Sequence, residues 1–141
     1  MFKKFKSILI GENNFNDEDY FLLLSQSNLL ILASNFDKDS INYYKYSWPA
    51  KMPSYLMSGI PIFILGPSEI FFISEARKKN WALVCNENNH EKIKKQIYKI
   101  LFNDEIKKNI IKNATRESKE FEIKKMKKKF SDLLNVSTIK I

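Results

Sequence analysis

The chain has 141 residues, 44% of them hydrophobic and 28% charged, with a formal net charge of +8. That is one domain's worth of core-forming chain, so an intrinsically disordered polymer is excluded. Three glycines and four prolines exclude collagen-like and linker-like classes. A single cysteine, Cys85, and a single histidine, His90, exclude a disulfide scaffold and a Cys- or His-rich metal site.

In chain order, residues 7–10 (Ser-Ile-Leu-Ile) form a short apolar run closed by Gly11 and predict a strand. Asn16 ahead of Asp17, Glu18 and Asp19 reads as an N-cap followed by first-turn acids, so a helix is expected over 17–27. Residues 29–33 (Leu-Leu-Ile-Leu-Ala) are a continuous apolar run, the pattern of a strand buried on both faces. A polar, aromatic loop is expected over 34–47, then a short helix within 49–59 that ends at Gly59. Residues 60–65 form a second buried run, with Pro61 near its start, where a missing N–H is tolerable. Gly66-Pro67-Ser68-Glu69 turns the chain into a helix reaching about Lys79, and residues 81–85 give a fourth strand. Beyond residue 90 the apolar positions recur at helical spacing, for example Ile93, Ile97, Ile100 and Leu101, and later Ile123, Met126, Phe130, Leu133 and Leu134.

Four strands separated by helices cannot pair as hairpins, so a parallel sheet with right-handed crossovers is expected. The fold class is α/β: a Rossmann-like three-layer sandwich of about four strands with a helical C-terminal tail. It forms a single domain over 1–141, with the sheet in 1–90 and the tail in 91–141.

Residues 1–90 hold nine basic and nine acidic side chains, so the whole positive excess falls in 91–141, and Arg77 and Arg116 are the only arginines. Specific nucleic-acid recognition leans on arginine's planar fork, which argues against a nucleic-acid partner. The lysines of the last helix, Lys124, Lys125 and Lys127 to Lys129, read as a solvated face. Peripheral contact with an anionic membrane is the alternative. No apolar stretch has the length of a secretory signal or a membrane span. A cytoplasmic location is expected, with the inner membrane face as the alternative.

Ligands of open parallel sheets bind beyond the carboxyl ends of the strands. There the segment 34–49 is unusually long, about fifteen residues where two to six are usual. It carries Asn35, Asp37, Tyr43, Tyr44, Tyr46, Ser47 and Trp48, and its aromatics suit stacking on a base or sugar, or packing on a partner domain. Ser47 to Lys51 opens the next helix, where free N–H groups and the positive dipole end suit a phosphate, and Lys51 adds a full charge. A solvated Lys51 beneath a mere lid is the plainer reading. Cys85 is expected to be a small buried residue, His90 surface, and Trp81 with Phe71 and Phe72 core.

The stretch from Tyr46 to Ile62, Tyr-Ser-Trp-Pro-Ala-Lys-Met-Pro-Ser-Tyr-Leu-Met-Ser-Gly-Ile-Pro-Ile, resembles a signature of bacterial retaining-type glycosyltransferases of the B fold (group 1, family 4-like). Ser47, Pro49, Lys51, Pro53, Tyr55, Leu56, Ser58, Gly59 and Pro61 carry the resemblance. Residues 27–32, 86–101 and 104–114 are similar to neighbouring segments of the same carboxy-terminal, donor-binding domain. The resemblance implies a site for a nucleotide diphosphate sugar as substrate, with Ser47 and Lys51 at the diphosphate. Ser54 and Tyr55 would lie along the donor helix, Gly66, Ser68 and Glu69 near the sugar or diphosphate, and Asn35, Asp37 and Tyr46 in the donor loop.

Neither a metal nor a further cofactor is implied, and no catalytic residue is assigned. The family's usual Glu is Ser54 here, and the acid eight positions earlier is Tyr46. The resemblance covers one domain of a two-domain enzyme. An acceptor-domain chain is therefore the expected partner, and glycosyl transfer to a glycan or lipid-linked acceptor is not expected from this chain alone. Two other readings stand beside it: an interaction module that keeps the fold without the site, and a basic adaptor for membrane or nucleic acid.

Overall fold

A computed structural model describes residues 17–138. The chain runs through α1 (Asp17–Ser25), β1 (Leu30–Ala33), α2 (Lys38–Tyr44), α3 (Met52–Met57), β2 (Ile62–Leu65), α4 (Phe71–Lys79) and β3 (Leu83–Cys85). It continues through α5 (His90–Phe102), α6 (Asp104–Ser118), a 3₁₀ turn (Lys119–Phe121) and α7 (Ile123–Thr138). The described strands form a parallel sheet in the order β1-β2-β3. The strand expected over 7–10 lies outside the described residues, so three of the four expected strands are seen.

The apolar run of β2 makes it the central strand. Ile62, Phe63 and Ile64 are all buried, and each such side chain contributes roughly 1.5–3 kcal/mol of burial. Ile62 and Ile64 join one core cluster with Leu24 of α1, Met52 and Leu56 of α3, Phe72, Ile73 and Ala76 of α4, and Ala114 of α6. Alternation turns Phe63 to the opposite face, and α5 packs on β2 and β3. The parallel ladder runs on past the strands: the Ser34 N–H donates to the Leu65 carbonyl at 2.8 Å, and the Gly66 N–H to the Cys85 carbonyl at 3.0 Å.

Four sequence expectations are corrected here. β1 is not buried on both faces: Leu30 is buried, but Ile31 is 50% exposed, because on that face α5 packs on β2 and β3 rather than on β1. The stretch 34–47 is not all loop. Asp37 accepts the Ser40 N–H at 2.8 Å and caps α2, with Asp39 in its first turn. The last strand begins at Leu83 rather than at Trp81. Asn80, at φ 55°, ends α4 in the left-handed region, and the Trp81 N–H turns back to the Ala76 carbonyl at 3.2 Å. The indole of Trp81 thereby enters the core. Of the expected core residues, Trp81 and Phe72 are buried but Phe71 is 48% exposed, because the inward face of α4 passes through Phe72, Ile73 and Ala76. Gly59, at φ 72°, ends α3 as the sequence suggests.

The helices after residue 90 are not one appended tail. α6 packs on α3 and α5, and Ile110 and Ala114 are buried. Lys79 bridges Glu75 at 3.1 Å and Glu117 at 2.7 Å, so α4 and α6 are clamped, and the Glu117 contact chiefly raises the lysine's pKa. α7 packs chiefly on the 3₁₀ turn and is held there through Glu120, which pairs with Lys125 at 2.8 Å and Lys129 at 3.0 Å. No described helix is long and apolar enough to cross a membrane.

A side chain at Gly66 would displace its neighbours: a Cβ there would lie 2.6 Å from Ile73 Cδ1, the end of a buried side chain, and 3.1 Å from Ser34 Cβ. Gly66→Ala should lower stability by about 1–3 kcal/mol in a denaturant titration, as overpacked cores do. Gly59→Ala has open space and is expected to cost about 1 kcal/mol through its positive φ alone. The hydrogen bonds from Lys125 and Lys129 hold the Glu120 carboxyl at about 2, below its ordinary 4.5. Its depressed pKa means that the contact stabilises above about pH 4.5 and is lost as pH falls toward 2. The protection of amides in the first turns of α7, measured against their intrinsic exchange rate at each pH, should fall across that window, and Glu120→Gln should remove that fall.

Candidate functional site

Beyond the carboxyl end of β1 the chain leaves a cleft of about 510 Å³, within the range of small-molecule sites. Leu32 and Ala33 of the strand, Trp48, Pro49 and Ala50 of the following segment, and Phe72 of α4 give it apolar walls. Ser34, Asn35, Tyr44, Ser47 and Lys51 supply its polar groups. Each wall has a local cause. The cap at Asp37 fixes α2 and so places Tyr44, and the Phe71 N–H donates to the Lys45 carbonyl at 2.8 Å, tying the end of α2 to α4. Trp48 stacks on Phe121 with ring centroids 5.3 Å apart and lies 6.0 Å from Trp81. Trp48 lines the cleft and also a second hollow, with Phe71, Phe121 and Met126.

Lys51 is the one charged side chain lining the cleft, and no carboxylate pairs with it among the described residues. Beyond β3, by contrast, Lys92 is paired with Glu87. The Ser47 hydroxyl donates to the Tyr44 carbonyl at 2.9 Å, and the Ser47 N–H reaches the same oxygen at 3.0 Å. The serine therefore offers the cleft an acceptor, not a donor, until its hydroxyl rotates. α3 has only six residues and no side-chain cap at Lys51, so the full charge of Lys51 outweighs any dipole at its start.

The residues picked out by the sequence divide into two groups. Asn35, Ser47 and Lys51 meet at the cleft. Gly66 does not line the cleft; it is buried beside Ser34, which does. Ser54 faces away: its hydroxyl donates to the Lys51 carbonyl at 2.7 Å and pairs with Tyr20 Oη at 2.8 Å, in a smaller hollow against α1 with Phe21 and Met57. Tyr55 packs against the core, and burial, helped by Tyr20, raises its pKa. Ser68 and Glu69 are exposed in the turn before α4, 3.5 Å apart. Asp37 serves as a cap, and hydrogen bonds from Ser40 lower its pKa. Tyr46 points outward under Lys45, whose ammonium lies 5.5 Å from the ring centroid.

Phe72, Leu32 and Ala33 line the cleft without any sequence signal beyond their apolar character. His90 is exposed at the start of α5, and Cys85 is buried with its thiol toward the Glu87 carbonyl at 3.5 Å. No group of three or more metal-ligating side chains occurs among the described residues. Searches against family models, curated proteins and solved structures return no match to the chain.

Asp37→Ala removes the acceptor for the Ser40 N–H, so amide exchange over α2 should quicken and Tyr44 should lose its fixed place. Asp37→Asn keeps an acceptor and should exchange much as the parent does. Equal exchange in the parent and in Asp37→Ala would show that the cap does not hold α2.

Proposed function

We propose that this chain is the donor-binding domain of a glycosyltransferase, taking the diphosphate of a nucleotide sugar against Lys51. The observation that carries the reading is one unopposed ammonium on the wall of a half-apolar cleft at the carboxyl end of a parallel strand. A diphosphate is compact and doubly charged, and a lysine binds it as a point charge. The apolar walls at Leu32, Trp48 and Phe72 suit the faces of a base or a sugar, while Asn35 and Tyr44 offer hydrogen bonds to hydroxyls. The motif from Tyr46 to Ile62 supports the same reading through its resemblance to the donor helix of B-fold enzymes. The cleft accounts for donor binding. Transfer requires an acceptor aligned at its open side, which is the task of a second wall.

Ser54 has no part in this reading, since its hydroxyl is engaged on the far side of α3. Nucleoside diphosphates (uridine, guanosine and adenosine) tested by thermal unfolding should include one that raises the Tm, by about 2.7 kcal/mol of added stability at a hundredfold excess over Kd. Lys51→Ala should weaken that ligand about ten- to a hundredfold, the worth of a charge-assisted hydrogen bond. Ser54→Ala should leave the affinity unchanged. No shift with any of the three nucleotides, or a shift that survives Lys51→Ala, would refute the proposal.

A further inference from the structure

α7 meets the rest of the fold along one side. Lys125 and Lys129 pair with Glu120, and Met126 and Lys129 line the hollow beside Trp48 and Phe121. At about 100° per residue these positions take up about 100° of the helix circumference. The side turned away begins with Phe130, about 40° past Met126, and passes through Ile123 and Lys127 to Lys124 and Lys128. Ile123 is 72% exposed and Phe130 65%. Lys124, Lys127 and Lys128 are exposed, and no carboxylate pairs with them among the described residues.

Water suits three lysines but not two large apolar side chains beside them. A protein core suits the apolar pair but not the lysines, which would lose their hydration without a partner. One kind of surface suits both: acyl chains under a layer of phosphates. Residues 91–141 also carry fifteen basic and seven acidic side chains, so the sequence around this helix is attracted to an anionic surface rather than repelled.

We infer that the outward face of α7 binds the surface of an anionic lipid bilayer. Ile123 and Phe130 enter the boundary between headgroups and acyl chains, and Lys124, Lys127 and Lys128 lie against the lipid phosphates. The helix lies in the plane of the surface and does not cross it. This inference is independent of what the cleft binds.

The test is co-sedimentation of the full chain with vesicles of mixed phosphatidylglycerol and phosphatidylcholine, and with vesicles of phosphatidylcholine alone. Binding is expected to the mixed vesicles only, falling as salt is raised. Each Lys→Gln change at 124, 127 or 128 should weaken it about fivefold. Phe130→Glu should weaken it at least tenfold with an unchanged far-UV spectrum, and Ile123→Ser supplies a milder variant should that one unfold. No binding to the mixed vesicles, equal binding to the neutral ones, or indifference to Phe130→Glu would each overturn the inference. So would self-association through this face, seen as a dimer that Phe130→Glu converts to monomer while vesicle binding is absent.

Discussion

Burial of β2 on both faces is the constraint from which the rest of the structure follows. Ile62 and Ile64 need cover on one side and Phe63 on the other, so helices must occupy both faces of the sheet. Cover on both faces is complete at β2 but not at β1, where Ile31 is half exposed; the described strands run parallel, and their carboxyl ends lie along one edge. That edge is where backbone groups leave the ladder, and it is where the cleft opens. Gly66 marks how tight the edge is, since a methyl group after β2 would fit only if Ile73 moved aside.

The cleft inherits its chemistry from this arrangement. The end of β1, residues 48–50 and α4 give it apolar walls, and residues on either side of α2, with Tyr44 of α2 itself, give it polar groups. Lys51 is itself exposed, and what sets it apart from the other lysines is its place beside apolar walls with no carboxylate paired to it among the described residues. Trp48 links this cleft to the far side of the molecule, because the indole that lines it rests on Phe121 of the 3₁₀ turn from which α7 departs. The position of the cleft wall thus depends on the helices that follow the sheet, although no residue of those helices lines the cleft.

Charge divides the molecule along different lines from packing. Residues 1–90 are neutral and 91–141 carry the excess, yet the packed body includes α5 and α6. Two of the basic residues serve the fold directly: Lys79 clamps α4 to α6, and Lys107 pairs with Asp104 at 2.7 Å in the first turn of α6. The lysines of α7 split between the two roles, Lys125 and Lys129 holding the helix to Glu120 and the others facing outward.

The sequence by itself determined the α/β alternation, the buried run of β2 and the left-handed close of α3 at Gly59, but not the half-open face of β1 at Ile31. These are local: an unbroken apolar run or a glycine at a helix end carries its meaning without knowing what it packs against. Lys51 and Ser47 were also legible as a pair at a strand's carboxyl end. What only the tertiary structure decided is which way side chains face. Ser54 and Lys51 are three residues apart on one short helical stretch, yet Ser54 turns to Tyr20 and Lys51 to the cleft. α3 is seated against α6, and Ser54 meets Tyr20 of α1; both partners lie far from it in sequence. The wall at Phe72, the burial of Trp81 and the inclusion of α6 in the core belong to the same class. Each depends on a contact between distant segments, and periodicity along the chain holds no record of such contacts.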